Sequence, residues 1–200
     1  MKPSVSNVLA VYNGAFAEHL RFGLSWYSIA NREALRMGGG RGYHLERNAG
    51  IIAALSPMNG WANNLRKAQA VVSARGRITI GEDGSNGIGL SSNVAKAVAI
   101  YNGADPLDIL GGDKVRAFYR TIVNPTGDID PVIDRHAFDI AVGERTNDAA
   151  RTILSRKGVY SEFAHVYREA AKVAGIGSAQ MQAITWVAWR EAIGVGEHHG

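Results

Sequence analysis

The sequence predicts an all-α chain folded in two lobes, and three observations predict it. Apolar residues recur at helical spacing along most of the chain. Glycine, proline and serine clusters cut that pattern into about nine helix-length pieces. Strand-like composition is confined to one short stretch, Ile78-Thr79-Ile80.

The elements follow in order. MKPSVSNVLAVYNG reads as an ordinary N-terminal segment, since one lysine and a short apolar patch do not make a signal peptide. Ala15 to Met37 reads as an amphipathic helix with Phe16, Leu20, Leu24 and Tyr27 on its apolar stripe, stopped by Gly38-Gly39-Gly40. Leu45 to Leu55 is the next helix; it ends at Ser56-Pro57 because a residue before proline disfavours helical backbone. Trp61 to Ala74 follows and terminates near Gly76. Arg77 to Gly89 is a loop rich in glycine, with Ile78-Thr79-Ile80 as a candidate scrap of strand. Ser91-Ser92-Asn93 offers caps for a helix through Tyr101. Asp105-Pro106 starts a short turn to Leu110, and Asp113 to Ile122 carries Val115, Phe118 and Ile122 as its stripe. After the loop from Val123 to Ile133, Asp134 to Val142, Ser161 to Ala174 and Ser178 to Ile193 read as helices. The last is apolar nearly all round, which predicts burial; the tail GEHHG reads as frayed. No repeat or linker divides the chain, so residues 1–200 read as one domain, with helices over 147–193 completing the second lobe.

Composition narrows the function classes. The chain has 200 residues and no cysteine, which excludes disulfides, cysteine-ligated zinc and iron–sulfur clusters. No apolar run approaches the roughly 20 residues that span a bilayer, so no membrane partner is expected and a cytoplasmic setting is. The net charge of +4 and a pI near 9.5 suit a polyanionic partner, or a basic protein without one. Glu197-His198-His199 lacks metal-ligand spacing, and neither a metal nor a cofactor is expected.

Chemistry concentrates between residues 105 and 142. In Leu110-Gly111-Gly112-Asp113-Lys114-Val115, two glycines open a helix whose first N–H groups suit phosphate oxygens. Lys114 lies in that first turn, against the helix dipole; in a desolvating pocket its pKa would fall, and a neutral lysine is a nucleophile. Twenty residues on comes Asp134, in Val132-Ile133-Asp134-Arg135-His136. Its position before an apolar run suits an N-cap; the functional alternative is a carboxylate facing a cleft.

These blocks resemble the helix–hairpin–helix DNA glycosylase superfamily. That family carries a leucine–proline–glycine–x–glycine hairpin, a lysine in its bifunctional members, and an aspartate about twenty residues later in a valine–aspartate–x–histidine context. The 8-oxoguanine glycosylase branch is the most similar, because there too a valine follows the lysine. Ala53-Ala54-Leu55-Ser56-Pro57-Met58-Asn59 and Gly89-Leu90-Ser91-Ser92-Asn93-Val94-Ala95-Lys96-Ala97 resemble two further family blocks. The resemblance implies a two-lobed all-α fold with a central cleft, duplex DNA bound by Gly111 and Gly112, and a base flipped out of the stack. It implies Asp134 as the essential carboxylate, Lys114 as the group attacking the sugar, and a gap-filling side chain from the turn that holds Asn59. The sequence departs from the family in its adjacent glycines and missing hairpin proline. The C-terminal block Ala179–Arg190 is similar instead to phage proteins of the superfamily proposed to build hypermodified thymines, some of them amino-acid:DNA transferases.

Other residues complete the expected site. Arg116 and Arg120 share a helix face and, with Lys114, suit a phosphate-contacting strip; Arg135 beside the aspartate is a further DNA contact. A solvated face reads equally well for these charges. Trp186, Trp189 and Arg190 suit base stacking and Gln182 a base edge, against the blander alternative of a buried helix. His136 is a candidate proton shuttle or a structural histidine. The expectation is therefore a DNA-acting enzyme performing base excision, with or without lyase activity. The alternatives are a phage transferase attaching an amino acid or amine to phosphorylated hydroxymethyluracil, or a non-enzymatic DNA-binding module.

Overall fold

The computed structural model describes residues 1–37, 44–127 and 130–195. Every regular element among them is helical. Helices α1 (Val5–Asn13), α2 (Ala17–Met37), α3 (Leu45–Leu55), α4 (Trp61–Ser73), α5 (Ser91–Tyr101), α6 (Pro106–Ile109), α7 (Asp113–Val123), α8 (Arg135–Val142), α9 (Asp148–Arg151), α10 (Val159–Ala174) and α11 (Ser178–Ala192) follow one another, with a 3-10 turn at Thr152–Ser155. No helix among the described residues is long and apolar enough to cross a membrane. Gly38-Gly39-Gly40 and the tail Gly196–Gly200 lie outside the described residues.

The chain forms two compact units. The first comprises Met1–Ser28 and the described residues from Asn124 onward; the second is Ile29–Val123. In the first, α1, α8, α10 and α11 pack around Phe138, Phe163, Tyr167 and Met181, with the Phe138 and Phe163 rings stacked 4.6 Å apart. Ser4 N–H and the Asn7 side chain both donate to the Ala141 carbonyl, which ties α1 to the end of α8. Gly143 then closes α8 in the left-handed conformation, φ 85°, that favours glycine.

The second unit is built on α3. Every residue from Asn48 to Leu55 is buried, because α4, α5, α6 and α7 all pack on this helix. Two buried amides tie its neighbours to it: Asn48 donates to the Ala34 carbonyl at 2.8 Å, and Asn64 of α4 donates to the Ile52 carbonyl at 3.1 Å. Asn31 donates to the Ile122 carbonyl at 2.8 Å, satisfying an open end of α7.

Four expectations are corrected here. The buried face of α2 is His19, Gly23, Tyr27, Ala30 and Ala34, whereas Phe16 and Leu24 are 70% and 44% exposed. The reason is close packing of small residues: a Cβ on Gly23 would lie 2.4 Å from Ile184 Cα, so α11 touches the α2 backbone there. Ile78-Thr79-Ile80 forms no strand, having no partner strand among the described residues. Ser91 and Ser92 fall inside α5, whose N-cap is Leu90 without a side-chain cap bond. The N-terminal segment contains α1, and α9 adds another helix to the expected set.

Candidate functional site

Asp134 is the N-cap of α8. Its Oδ1 accepts hydrogen bonds from the N–H groups of His136 and Ala137, at 2.9 and 2.8 Å. The segment delivering it is clamped by Tyr160, which accepts from Ile133 N–H at 3.0 Å and donates to the Pro131 carbonyl at 3.1 Å. Capping takes only one carboxylate oxygen. The other, Oδ2, accepts from Trp186 Nε1 on α11 at 3.0 Å. The carboxylate is thus oriented by three donors from two helices, and the residue stays half-buried.

Aromatic and cationic groups surround this pair. Trp186 meets the rings of Trp26 and His136 edge-on at 6.1 and 6.3 Å, and the Arg190 guanidinium lies 4.3 Å from its ring centroid. Beneath them Tyr27 donates to Gln182 Oε1 at 2.6 Å, with both residues at most 5% exposed. Burial raises the Tyr27 pKa well above its ordinary value, and the nearby Asp134 charge adds to this. Tyr27 therefore keeps its proton near neutral pH and stays a hydrogen-bond donor to Gln182.

His136 is 7% exposed, and its Nε2 accepts from Arg135 Nε at 3.2 Å. That bond assigns the ring proton to Nδ1 in the neutral tautomer. Burial lowers the His136 pKa; Asp134 opposes this, while Arg135 and Arg190 reinforce it. His136 Nδ1, Trp189 Nε1 and Arg190 Nε are buried without a hydrogen-bond partner among the described residues. Three unmatched groups within one short segment of α8 and α11 are unusual, because buried polar groups are nearly always paired. Chemically, the cluster offers an oriented carboxylate, indole faces suited to a planar ring, and polar atoms with unused hydrogen-bonding capacity.

The expected site residues thus separate. Asp134, His136, Trp186 and Arg190 come together in the first unit, with Gln182 joined through Tyr27. Arg135 is exposed beside them. The second unit holds Lys114, Gly111, Gly112, Arg116, Arg120 and Asn59. Gly111 and Gly112 form an exposed turn between α6 and α7, with Gly112 at φ 77°, and a Cβ on either would meet nothing within 4 Å. Lys114 is exposed in the first turn of α7, so no desolvating pocket surrounds it among the described residues. Arg116 Nε donates back to the Leu110 carbonyl at 2.8 Å and stiffens this turn, while Arg120 is exposed. Asn59 is engaged internally: it donates to the Leu55 carbonyl at 2.7 Å and accepts from Asn63 and Lys67 at 2.7 and 2.8 Å. The side chain presented by that turn is Met58, 100% exposed with φ 63°.

Nothing in the sequence marks Trp26, Tyr27 or Met58 as site residues. The Tyr27–Gln182 bond joins positions 155 residues apart, and nothing local signals it. A left-handed methionine has no sequence signature at all, since glycine and asparagine dominate such positions.

Charge also divides. Ile29–Val123 holds twelve Lys and Arg against seven Asp and Glu, whereas the rest of the chain holds ten against eleven. The basic excess therefore lies wholly in the unit that carries the glycine turn.

Residues 1–193 match the model of DUF7178, described as a family of unknown function, and the chain belongs to that family. No curated protein and no solved structure matches it.

Proposed function

We propose that this member of DUF7178 is a DNA-acting enzyme that flips a modified or damaged base from a duplex and excises it. The observation that carries this reading is the Asp134–Trp186 pair: a half-buried, oriented carboxylate against indole faces and unmatched polar groups. A flipped base stacks on such faces and is read by such groups. Asp134 takes a proton from water as the water oxygen bonds to C1′ of the sugar. The glycosidic bond breaks, the base leaves with its electron pair, and the proton taken up by Asp134 passes to it, which restores the carboxylate.

Three further features support the reading. The second unit supplies the basic excess that phosphate contacts need, with Gly111, Gly112, Arg116 and Arg120 as contacts. Met58 is a side chain of the type that wedges between base steps, and it stands on a turn that Asn59 makes rigid. Lys114 is exposed and lacks the buried setting in which a lysine is activated as a nucleophile, which favours attack by water.

A second reading is favoured by Arg190, whose buried Nε has capacity for a carboxylate. On it, the chain transfers an amino acid or amine to a phosphorylated hydroxymethyluracil, and the amine nitrogen displaces the phosphate from the 5-methylene.

The test is mass spectrometry of duplexes carrying damaged or hypermodified bases, with borohydride trapping in parallel. Release of a free base without a trapped adduct supports water-driven excision by Asp134. An adduct lost in Lys114→Ala would instead make the lysine a nucleophile. A mass gain on the phosphorylated duplex with an amino acid present selects the transferase. Salt-sensitive binding with no chemistry leaves a DNA-binding module and overturns both.

A further inference from the structure

We infer that the second unit carries a separate pocket for a phosphomonoester on a small molecule, formed where α3, α4 and α5 meet. This inference does not rest on the excision reading. A cavity of about 660 Å³ is lined by His44, Arg47, Gln69, Ser73, Arg75 and Tyr101, with Met37 and Val72 as its apolar part. Its volume lies within the range of small-molecule sites. None of these lining residues is a carboxylate, and two are permanently charged guanidinium groups.

Arg47 is held by its neighbours, and the exposed Arg75 stands on a fixed turn. Arg47 lies 4.6 Å from the Tyr101 ring centroid, and its Nε donates to Asn48 Oδ1 at 3.2 Å. Asn48 is itself buried and fixed to the Ala34 carbonyl at 2.8 Å. Arg75 stands just past α4 at φ 53°, a left-handed position where glycine or asparagine is usual. Its N–H donates to the Val72 carbonyl at 3.0 Å, so the turn that carries the guanidinium is fixed. A Cβ on the neighbouring Gly76 would lie 2.7 Å from the Tyr101 ring, which sets how closely that turn approaches α5.

Two fork-shaped guanidinium groups beside hydroxyl, amide and imidazole groups match the oxygens and double charge of a phosphomonoester. A phosphodiester backbone carries one charge per phosphate, whereas this concavity gathers two guanidinium groups at one place, a local charge of two or more. The pocket therefore fits a free nucleotide or sugar phosphate better than duplex DNA.

The experiment titrates the full chain with inorganic phosphate and with a nucleoside 5′-monophosphate, at constant ionic strength, by calorimetry and amide NMR. Acetate and a short duplex serve as comparison ligands. Arg75→Asn keeps a residue that tolerates the left-handed turn, and Arg47→Gln keeps a side chain long enough to cover Tyr101. The expected result is saturable one-to-one binding of both phosphates, weakened about tenfold or more in each variant at an unchanged melting temperature. Absence of saturable binding overturns the proposal. So does equal affinity in both variants, acetate binding as tightly as phosphate, or displacement of the phosphate by the duplex.

Discussion

Replacing Asp134 separates its chemistry from its structural work, because asparagine and alanine fail in different ways. Alanine removes the cap from His136 and Ala137 N–H and the acceptor for Trp186 Nε1. Loss of an N-cap costs about 1 kcal/mol, loss of a partner for the indole about 1 kcal/mol more, and loss of the negative charge at the helix start up to about 1 kcal/mol. The sum is about 2–3 kcal/mol, which for a chain of this size lowers the melting temperature by roughly 5–10 °C. Asparagine ranks with aspartate as a cap and still offers an oxygen, so it costs about 1 kcal/mol or less. It cannot take a proton, and excision is expected to fall by about 100-fold or more. Single-turnover base release, read by mass spectrometry beside thermal melts, gives both numbers. If Asp134→Asn excises at the wild-type rate, the carboxylate is only a cap and the proposed mechanism is wrong. If Asp134→Ala melts with wild type, the three hydrogen bonds do not hold α8 and α11 as described.

Other perturbations test the packing and electrostatics directly. Gly23→Ala, a change that ordinarily stabilises a helix by about 1 kcal/mol, is expected to destabilise by about 1–3 kcal/mol, because its Cβ meets Ile184 Cα at 2.4 Å; an unchanged denaturant midpoint would refute the close seam. Arg151→Ala leaves the Asp139 carboxylate, 2% exposed, without the guanidinium that donates to Oδ2 at 2.8 Å, and a loss of about 3–5 kcal/mol is expected in urea unfolding. Tyr27→Phe strands Gln182 Oε1 in the core and should cost about 1–3 kcal/mol, with Tyr27→Phe/Gln182→Leu recovering part of it in a double-mutant cycle. The folded-state pKa of His136 lies below its usual 6.5, so the unfolded chain binds its proton first; this contribution is complete above about pH 6.5 and is lost as the pH falls through the lower folded value. His136→Asn should therefore flatten the decline in stability between neutral and mildly acidic pH, and an unaltered slope would assign that decline elsewhere.

The helix boundaries were legible because they are written in local chemistry. Ser56-Pro57 stops α3, and Asp105 caps α6 by accepting from Leu107 N–H at 2.7 Å. Asp134 was legible as a cap for the same reason. What failed was the facing of α2, since an apolar stripe ranks Phe16 and Leu24 above Gly23 and Ala30. The packing instead selects residues small enough for another backbone to approach. The site was half legible. The carboxylate and the α11 residues stood out by type, but their pairing spans 52 residues of chain and arises only when α8 and α11 pack together. The misplaced emphasis on Asn59 has a similar cause: its side chain is consumed by local carbonyls and by Asn63 and Lys67, which leaves Met58 outward.

The partition of charge and chemistry carries one more consequence for the proposed enzyme. The carboxylate and aromatic cluster lies within the first unit, and the whole basic excess lies within Ile29–Val123. Affinity for DNA and the chemical step should then respond to different substitutions. Arg120→Ala removes one exposed cation and is expected to weaken duplex binding and reduce its salt dependence by about one counterion, while the single-turnover rate at saturating protein stays unchanged. Asp134→Asn should do the reverse, leaving the salt slope intact and removing the rate. If both substitutions alter both quantities alike, binding and chemistry are not separable in this way. The charge asymmetry would then be a matter of composition rather than a division of labour.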